Sequence, residues 1–175
     1  RRLGLPEQGR ILVIVAHLGH RKGHHEVIKA LADLPEDITL VIVGGAAQGG
    51  TVEELQSVAR KSGVASRLVL SGAQPYDRVP LYFAAADASV LASYREGCPN
   101  AVLESLACGT PVVAFDVGGV SEIVKDGETG LLSRTMSIEG LANNISKILV
   151  DDELRIRLGE ACRKFAVEHL SMDQF

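Results

Sequence analysis

The sequence predicts a doubly wound, Rossmann-like α/β domain, a parallel sheet of about six strands with helices on both faces. Short apolar runs rich in Val, Ile and Leu alternate with longer segments of helical periodicity. The runs are nearly continuous in apolar residues rather than alternating with polar ones, which marks strands buried on both faces. With 46% apolar residues in 175, the chain has enough for a core on each side of one sheet.

In chain order, the first strand is expected at Arg10–Ala16 (R-I-L-V-I-V-A), followed by a helix at Lys22–Leu34. The run I-T-L-V-I-V gives a second strand at Ile38–Val43, with a helix at Thr51–Ser62. A third strand at Leu68–Leu70 precedes a helix at Tyr76–Ala85, and a fourth at Ala88–Leu91 leads to a helix at Asn100–Cys108, where Pro99 pre-sets the first turn. The fifth strand spans Pro111–Phe115 and is followed by a short helix at Val120–Lys125. The sixth spans Gly130–Leu132, and two helices, Ile138–Val150 and Asp152–His169, close the chain. Right-handed crossovers and the order 3-2-1-4-5-6 place the first and fourth strands side by side, with a ligand crevice outside their carboxyl ends. Two loops open there, His17–Gly23 and Ala92–Asn100, and they hold the unusual residues of the chain.

A net charge of -4 with interspersed signs excludes a basic nucleic-acid or anionic-membrane face. Three cysteines, Cys98, Cys108 and Cys162, with no C-x-x-C pair, exclude a disulfide framework and point to a reducing cytoplasm. No apolar run is long enough to span a bilayer, and no signal peptide is evident. The chain opens on Arg1 rather than Met and is therefore expected to belong to a longer one.

The loop H-L-G-H-R-K-G-H-H carries four of the five histidines together with Arg21 and Lys22. At the start of the first helix these cations and the free amides suit a diphosphate; the alternative is a set of ordinary solvated charges. A metal centre is the minority reading: His20 and His24 form an i, i+4 pair with His17 and His25 nearby, but Glu26 is the one close carboxylate, so no metal is expected. Glycine pairs Gly44-Gly45 and Gly49-Gly50 follow the second strand, whereas G-x-G-x-x-G is absent after the first, which disfavours a dehydrogenase.

In the fourth-strand loop, Glu96 precedes a Gly97-Cys98-Pro99-Asn100 turn whose amides are free to meet an anion, and Glu104 lies eight residues on, inside an apolar helix. If Leu103, Leu106 and Ala107 take the buried face, Glu104 points to the crevice mouth. Two carboxylates at different depths suggest two hydroxyl-bearing groups. The plainer readings are a solvated loop charge for Glu96 and a structural hydrogen bond to a backbone amide for Glu104.

The segments E-G-C-P-N-A-V-L-E, A-C-G-T-P-V-V-A, G-G-V-S-E and D-G-E-T-G-L-L together resemble the C-terminal, donor-binding domain of the retaining glycosyltransferases called group 1, or family four, which have the GT-B architecture. The resemblance runs from about Leu3 to the end of the chain. It implies that Glu96 contacts hydroxyls of the donor sugar, that Glu104 binds the ribose, that Gly97, Cys98, Pro99 and Asn100 lie along the sugar and diphosphate, and that Lys22 neutralises the diphosphate. Lys22 and Glu96 are the catalytic candidates. Where the family reads G-R-L this chain has Ala16, His17 and Leu18, so His17 stands in place of the family arginine, with Arg21 as a nearby substitute.

The implied reaction moves a glycosyl unit from a nucleoside diphosphate sugar to a glycan or lipid-linked glycan hydroxyl with retention. No divalent metal is expected, and there is no D-x-D pair. The acceptor site belongs to an N-terminal domain that these residues do not supply, so the isolated chain is expected to bind donor yet be nearly inactive. The opening R-R-L-G-L-P resembles the interdomain connection, and the ending E-H-L-S-M-D-Q-F resembles the helix that returns to the partner domain. A lipid-linked acceptor would bring the full-length protein to a membrane surface. The alternatives are a non-catalytic nucleotide-sugar or phosphate-binding module, and a GT-B sugar-nucleotide epimerase or phosphorylase.

Overall fold

The structure is a computed structural model and describes residues 3–47 and 50–170. Arg1, Arg2, Gly49 and the final 171–175 segment, on which parts of the terminal and glycine-pair readings rest, lie outside the described residues. Six parallel strands form one sheet in the order β3-β2-β1-β4-β5-β6. They are β1 (Arg10–Val15), β2 (Ile38–Val43), β3 (Leu68–Gly72), β4 (Ala88–Leu91), β5 (Val112–Phe115) and β6 (Gly130–Ser133). The expected fold class and strand order are both observed.

Alternation along each strand divides the core. Leu12 and Ile14 of β1 and Leu40 and Ile42 of β2 pack on one face with α1 (His24–Ala30), α2 (Val52–Lys61) and α6 (Ile138–Val150). On the other face, Ile11, Val13, Val41 and Val43 meet Tyr82 and Phe83 of α3 (Val79–Ala85). Next to them Leu91, Val112 and Ala114 meet Leu106 of α4 (Asn100–Ala107), Val120 of α5 (Val120–Ile123) and Cys162 of α7 (Asp152–His169). Cys162 donates its thiol to the Thr129 carbonyl, and burial pushes its pKa up to about 12, so it is a packing residue rather than a reactive one.

The largest departure from the sequence reading is the first helix. Instead of Lys22–Leu34, the chain forms a 3-10 turn at His20–Lys22, passes through Gly23 in the left-handed region (φ 68°, ψ 24°), and only then enters α1; a second 3-10 turn, Leu31–Asp33, follows. Lys22 therefore sits in a turn ahead of the helix. The Tyr76–Ala85 segment likewise divides into a 3-10 turn, Tyr76–Arg78, and α3, because Pro80 falls in the first turn of α3 and has no amide to donate. α5 stops at Ile123, where Val124 turns to an extended backbone and Lys125 is already outside the helix.

Candidate functional site

The crevice lies where β1 and β4 run side by side in the middle of the sheet. Its loops are tied by backbone contacts. The Tyr94 amide donates to the Arg21 carbonyl at 3.0 Å, and Gly23 approaches so closely that a Cβ there would lie 1.9 Å from the Ala92 carbonyl oxygen. A third loop, following β5, closes over the Glu96 turn: the Gly119 amide donates to the Glu96 carbonyl at 3.3 Å, and Cβ atoms at Gly118 and Gly119 would come within 1.9 and 2.2 Å of the carbonyl oxygens of Glu96 and Gly97. The G-G-V-S-E motif carried this signal, but sequence reasoning gave its glycines no role.

At the centre, Lys22 Nζ donates to Glu96 Oε1 at 2.7 Å, with side-chain exposures of 23% and 10%. The two residues proposed separately from the sequence thus form one charge pair across the crevice. Beside them α4 begins at Asn100 over a buried Pro99, and the amides of Gly97, Cys98 and Asn100 have no acceptor among the described residues. They and the positive end of the α4 dipole make a ready anion cradle. His17 and Arg21 are exposed at the rim.

The buried face of α4 is formed by Val102, Ser105 and Leu106, whereas Leu103 and Ala107 are only half-buried, contrary to the sequence expectation. A buried hydroxyl chain fixes that rotation. Ser105 Oγ lies 2.7 Å from Ser89 Oγ on β4 and donates to the Thr110 carbonyl at 2.8 Å, and Thr110 Oγ1 donates to the Phe83 carbonyl at 2.8 Å. Glu104, next to Ser105, is held half-buried at the helix edge. The polar group that influences it is the exposed Tyr76 hydroxyl, from the turn after β3, without reaching hydrogen-bond geometry, rather than a backbone amide. Nothing in the sequence linked Tyr76 to Glu104, since the two meet only through the fold.

Burial raises the Glu104 carboxyl above its ordinary value, against the smaller opposing influence of the Tyr76 hydroxyl. The folded chain therefore favours the protonated form, a contribution fully present below the ordinary carboxylate range and lost as pH rises through the raised value. Glu104→Gln is expected to leave the thermal midpoint at neutral pH unchanged or slightly higher, and to flatten its pH dependence just above the ordinary carboxylate range. Melting curves across that range check this; a clearly lower midpoint at neutral pH would contradict it.

The histidines divide differently from the i, i+4 reading. His24 points into the core at 3% exposure, and neither ring nitrogen has a hydrogen-bond partner among the described residues. Burial first, then His25 and His17, lower its pKa to about 4; the Ala16 and Gly19 carbonyls oppose this without reaching hydrogen-bond geometry. Glu26 acts electrostatically on the Tyr94 hydroxyl, which burial first and then that carboxylate push up to about 12. The carboxylate that does meet histidines is Glu54, on α2: its Oε1 lies 3.6 Å from His20 Nδ1 and 3.3 Å from His25 Nε2.

The sequence profile of the family described as "Glycosyl transferases group 1" matches residues 1–165. The chain belongs to this family. Among curated group 1 relatives it is 37% identical over 177 residues to a D-inositol 3-phosphate glycosyltransferase of Corynebacterium aurimucosum, covering 97% of this chain and 41% of the relative. It is 28% identical to a 2-deoxystreptamine glucosyltransferase of Streptomyces kanamyceticus, covering 97% of this chain and 45% of the relative. The chain thus spans less than half the length of these relatives, and it corresponds to their C-terminal part. Among solved structures, HepE of Anabaena in complex with UDP superposes with a TM-score of 0.90 at 27% identity, covering 95% of this chain and 46% of that one. The C-terminal domain of a group 1 protein from Francisella tularensis, determined on its own, shares the fold with a TM-score of 0.85 at 24% identity, covering 96% of this chain and 89% of that domain. No helix among the described residues is long and apolar enough to cross a membrane.

Proposed function

We propose that this chain is the donor-binding half of a retaining glycosyltransferase, taking a nucleoside diphosphate sugar in the crevice between the β1 and β4 loops. The observation that carries the reading is the Lys22–Glu96 pair at the mouth of a helix start with unengaged amides, at the switch point of the sheet. The UDP complex of HepE, a structural relative, supports a nucleotide as the guest. Lys22 and the α4 amides take the diphosphate, Glu96 takes donor-sugar hydroxyls, Glu104 takes the ribose hydroxyls, and Gly97, Cys98, Pro99 and Asn100 line the sugar and phosphates. An acceptor, a glycan or lipid-linked glycan, is held by an N-terminal domain of the longer protein, and the chain alone has little transferase activity.

Catalysis on this reading is stabilisation of charge on the departing diphosphate. Fixed positive groups, Lys22 and the α4 amides with His17 or Arg21 at the rim, stand ready before the bond breaks and need no reorganisation. They replace a magnesium or manganese bridge. Calorimetric titration with UDP, GDP and ADP is expected to show one nucleotide binding one-to-one, with an affinity that added Mg(II) does not raise; failure of all three to bind would overturn the reading.

Glu96→Gln separates the two jobs of the pair. Removing the carboxylate frees the Lys22 ammonium, so nucleoside diphosphate affinity is expected to stay the same or improve. Transfer by the full-length protein is expected to fall by about ten- to a hundredfold, because a charge-assisted hydrogen bond to the sugar is lost. Parallel calorimetry and rate measurements check it; equal losses in both would assign Glu96 to the diphosphate instead.

A further inference from the structure

We propose that His20, His25 and Glu54 form a binding site for a transition-metal dication of the Zn(II) class, which ties the β1–α1 loop to the start of α2 and takes no part in glycosyl transfer. One ligand atom from each of His20, His25 and Glu54 lies within 4.8 Å of the others, and the ring nitrogens near Glu54 are His20 Nδ1 and His25 Nε2. The two histidine nitrogens stand 3.6 and 3.3 Å from Glu54 Oε1, and neither makes a hydrogen bond to it among the described residues. Those separations are too long for a good N–H···O bond. The 3.3 Å separation matches, and the 3.6 Å one slightly exceeds, the edge of a tetrahedron around a cation, roughly 3.3–3.4 Å when the bonds are about 2.0–2.1 Å.

The local fold explains how the ligands gather. The left-handed Gly23 turns the chain between His20 and His25, so the two rings meet edge to face with centroids 5.9 Å apart rather than stacking along a helix. Glu54 is presented from the first turn of α2, whose start is fixed by Thr51 Oγ1 accepting from the Glu54 amide at 3.1 Å. Two imidazoles and one carboxylate are a donor set for zinc and neighbouring first-row cations rather than for magnesium or calcium.

The second observation is His24. It lines the same small depression, together with Leu18, Gly19 and Leu55, in which there is room for a single water-sized occupant. Buried with both nitrogens unpartnered, His24 is costly as it stands. A water completing the coordination of the cation gives that ring the partner it lacks.

The test is a titration of the untagged chain with ZnCl2 followed by calorimetry, and with CoCl2 followed by the visible absorption of tetrahedral Co(II). One equivalent per chain is expected. His25→Ala and Glu54→Gln should each weaken binding by more than about tenfold, and His169→Ala, on the far end of α7, should leave it unchanged. Unaltered circular dichroism of the variants separates loss of ligands from loss of fold, since His20, His25 and Glu54 are not core residues. Substoichiometric binding, or binding that survives in the Glu54→Gln/His25→Ala double variant, overturns the proposal and marks adventitious capture by surface histidines.

Discussion

Gly23→Ala is expected to destabilise the chain by about 3 kcal/mol and to loosen the crevice between β1 and β4 at the same time. A non-glycine residue held in the left-handed region costs roughly 1–2 kcal/mol, and forcing a methyl group into a packed contact adds about 1–3 kcal/mol more. At Gly23 both apply: φ is 68°, and the new Cβ would lie 1.9 Å from the Ala92 carbonyl oxygen, which is backbone and has no rotamer by which to retreat. The midpoint of thermal unfolding should fall by roughly 6–12 °C for a chain of this size. Because relief of the clash moves the β1 loop away from β4, the Tyr94 to Arg21 hydrogen bond and the Lys22–Glu96 pair open with it, and nucleotide affinity drops along with stability. Gly63→Ala is the control. Its φ is 73°, but nothing lies within 4 Å of the added Cβ, so only the conformational cost of about 1 kcal/mol remains. Equal losses at the two positions would show that the approach of Gly23 to Ala92 does not matter.

Lys22→Ala is expected to weaken nucleoside diphosphate binding by about a hundredfold while lowering stability by about 1–2 kcal/mol. The stability effect is modest rather than nil because the partly exposed Lys22 side of the pair admits water, while Glu96 is left largely buried without its cation. The binding effect is large because two changes add. The diphosphate loses its ammonium, and Glu96, with its side chain only 10% exposed, is left as a bare carboxylate facing the incoming anion. The double variant Lys22→Ala/Glu96→Gln should therefore bind better than Lys22→Ala alone. Calorimetry at two salt concentrations decides it, since an affinity carried by charge must also fall as salt rises. A single variant within about twofold of the parent would remove Lys22 from the donor site.

Much of the candidate site was legible because its residues lie in two short loops whose place in the fold follows from strand order. Lys22, Glu96 and the Gly97–Asn100 turn fall in the two loops that the predicted strand order assigns to the crevice, and the sheet order puts those loops side by side. The pairing of Lys22 with Glu96 was not legible, because the contact crosses 74 positions of sequence and depends on side-chain reach. Tyr76 was missed for the same reason, and its hydroxyl influences Glu104 only because the fold brings the turn after β3 near α4. The histidines were misgrouped by a local rule. An i, i+4 pair shares a face only inside an unbroken helix, and Gly23 resets the helical phase, sending His24 into the core and His20 and His25 towards Glu54.

What the amino-acid sequence determined by itself is the layered architecture: continuous Val, Ile and Leu runs compel strands buried on both faces, and their alternation with helices compels parallel order with right-handed crossovers. These consequences need only hydrophobic burial and chain connectivity, which act along the sequence. The tertiary structure decided which polar groups meet. Backbone carbonyls of Ala92, Glu96 and Gly97 press against glycines 23, 118 and 119, and these approaches set where Lys22, Glu96 and the free amides stand. The physical reason is that apolar burial is non-directional and tolerates small shifts, whereas a 2.7 Å ion pair and a close backbone contact depend on positions that only the packed whole can fix.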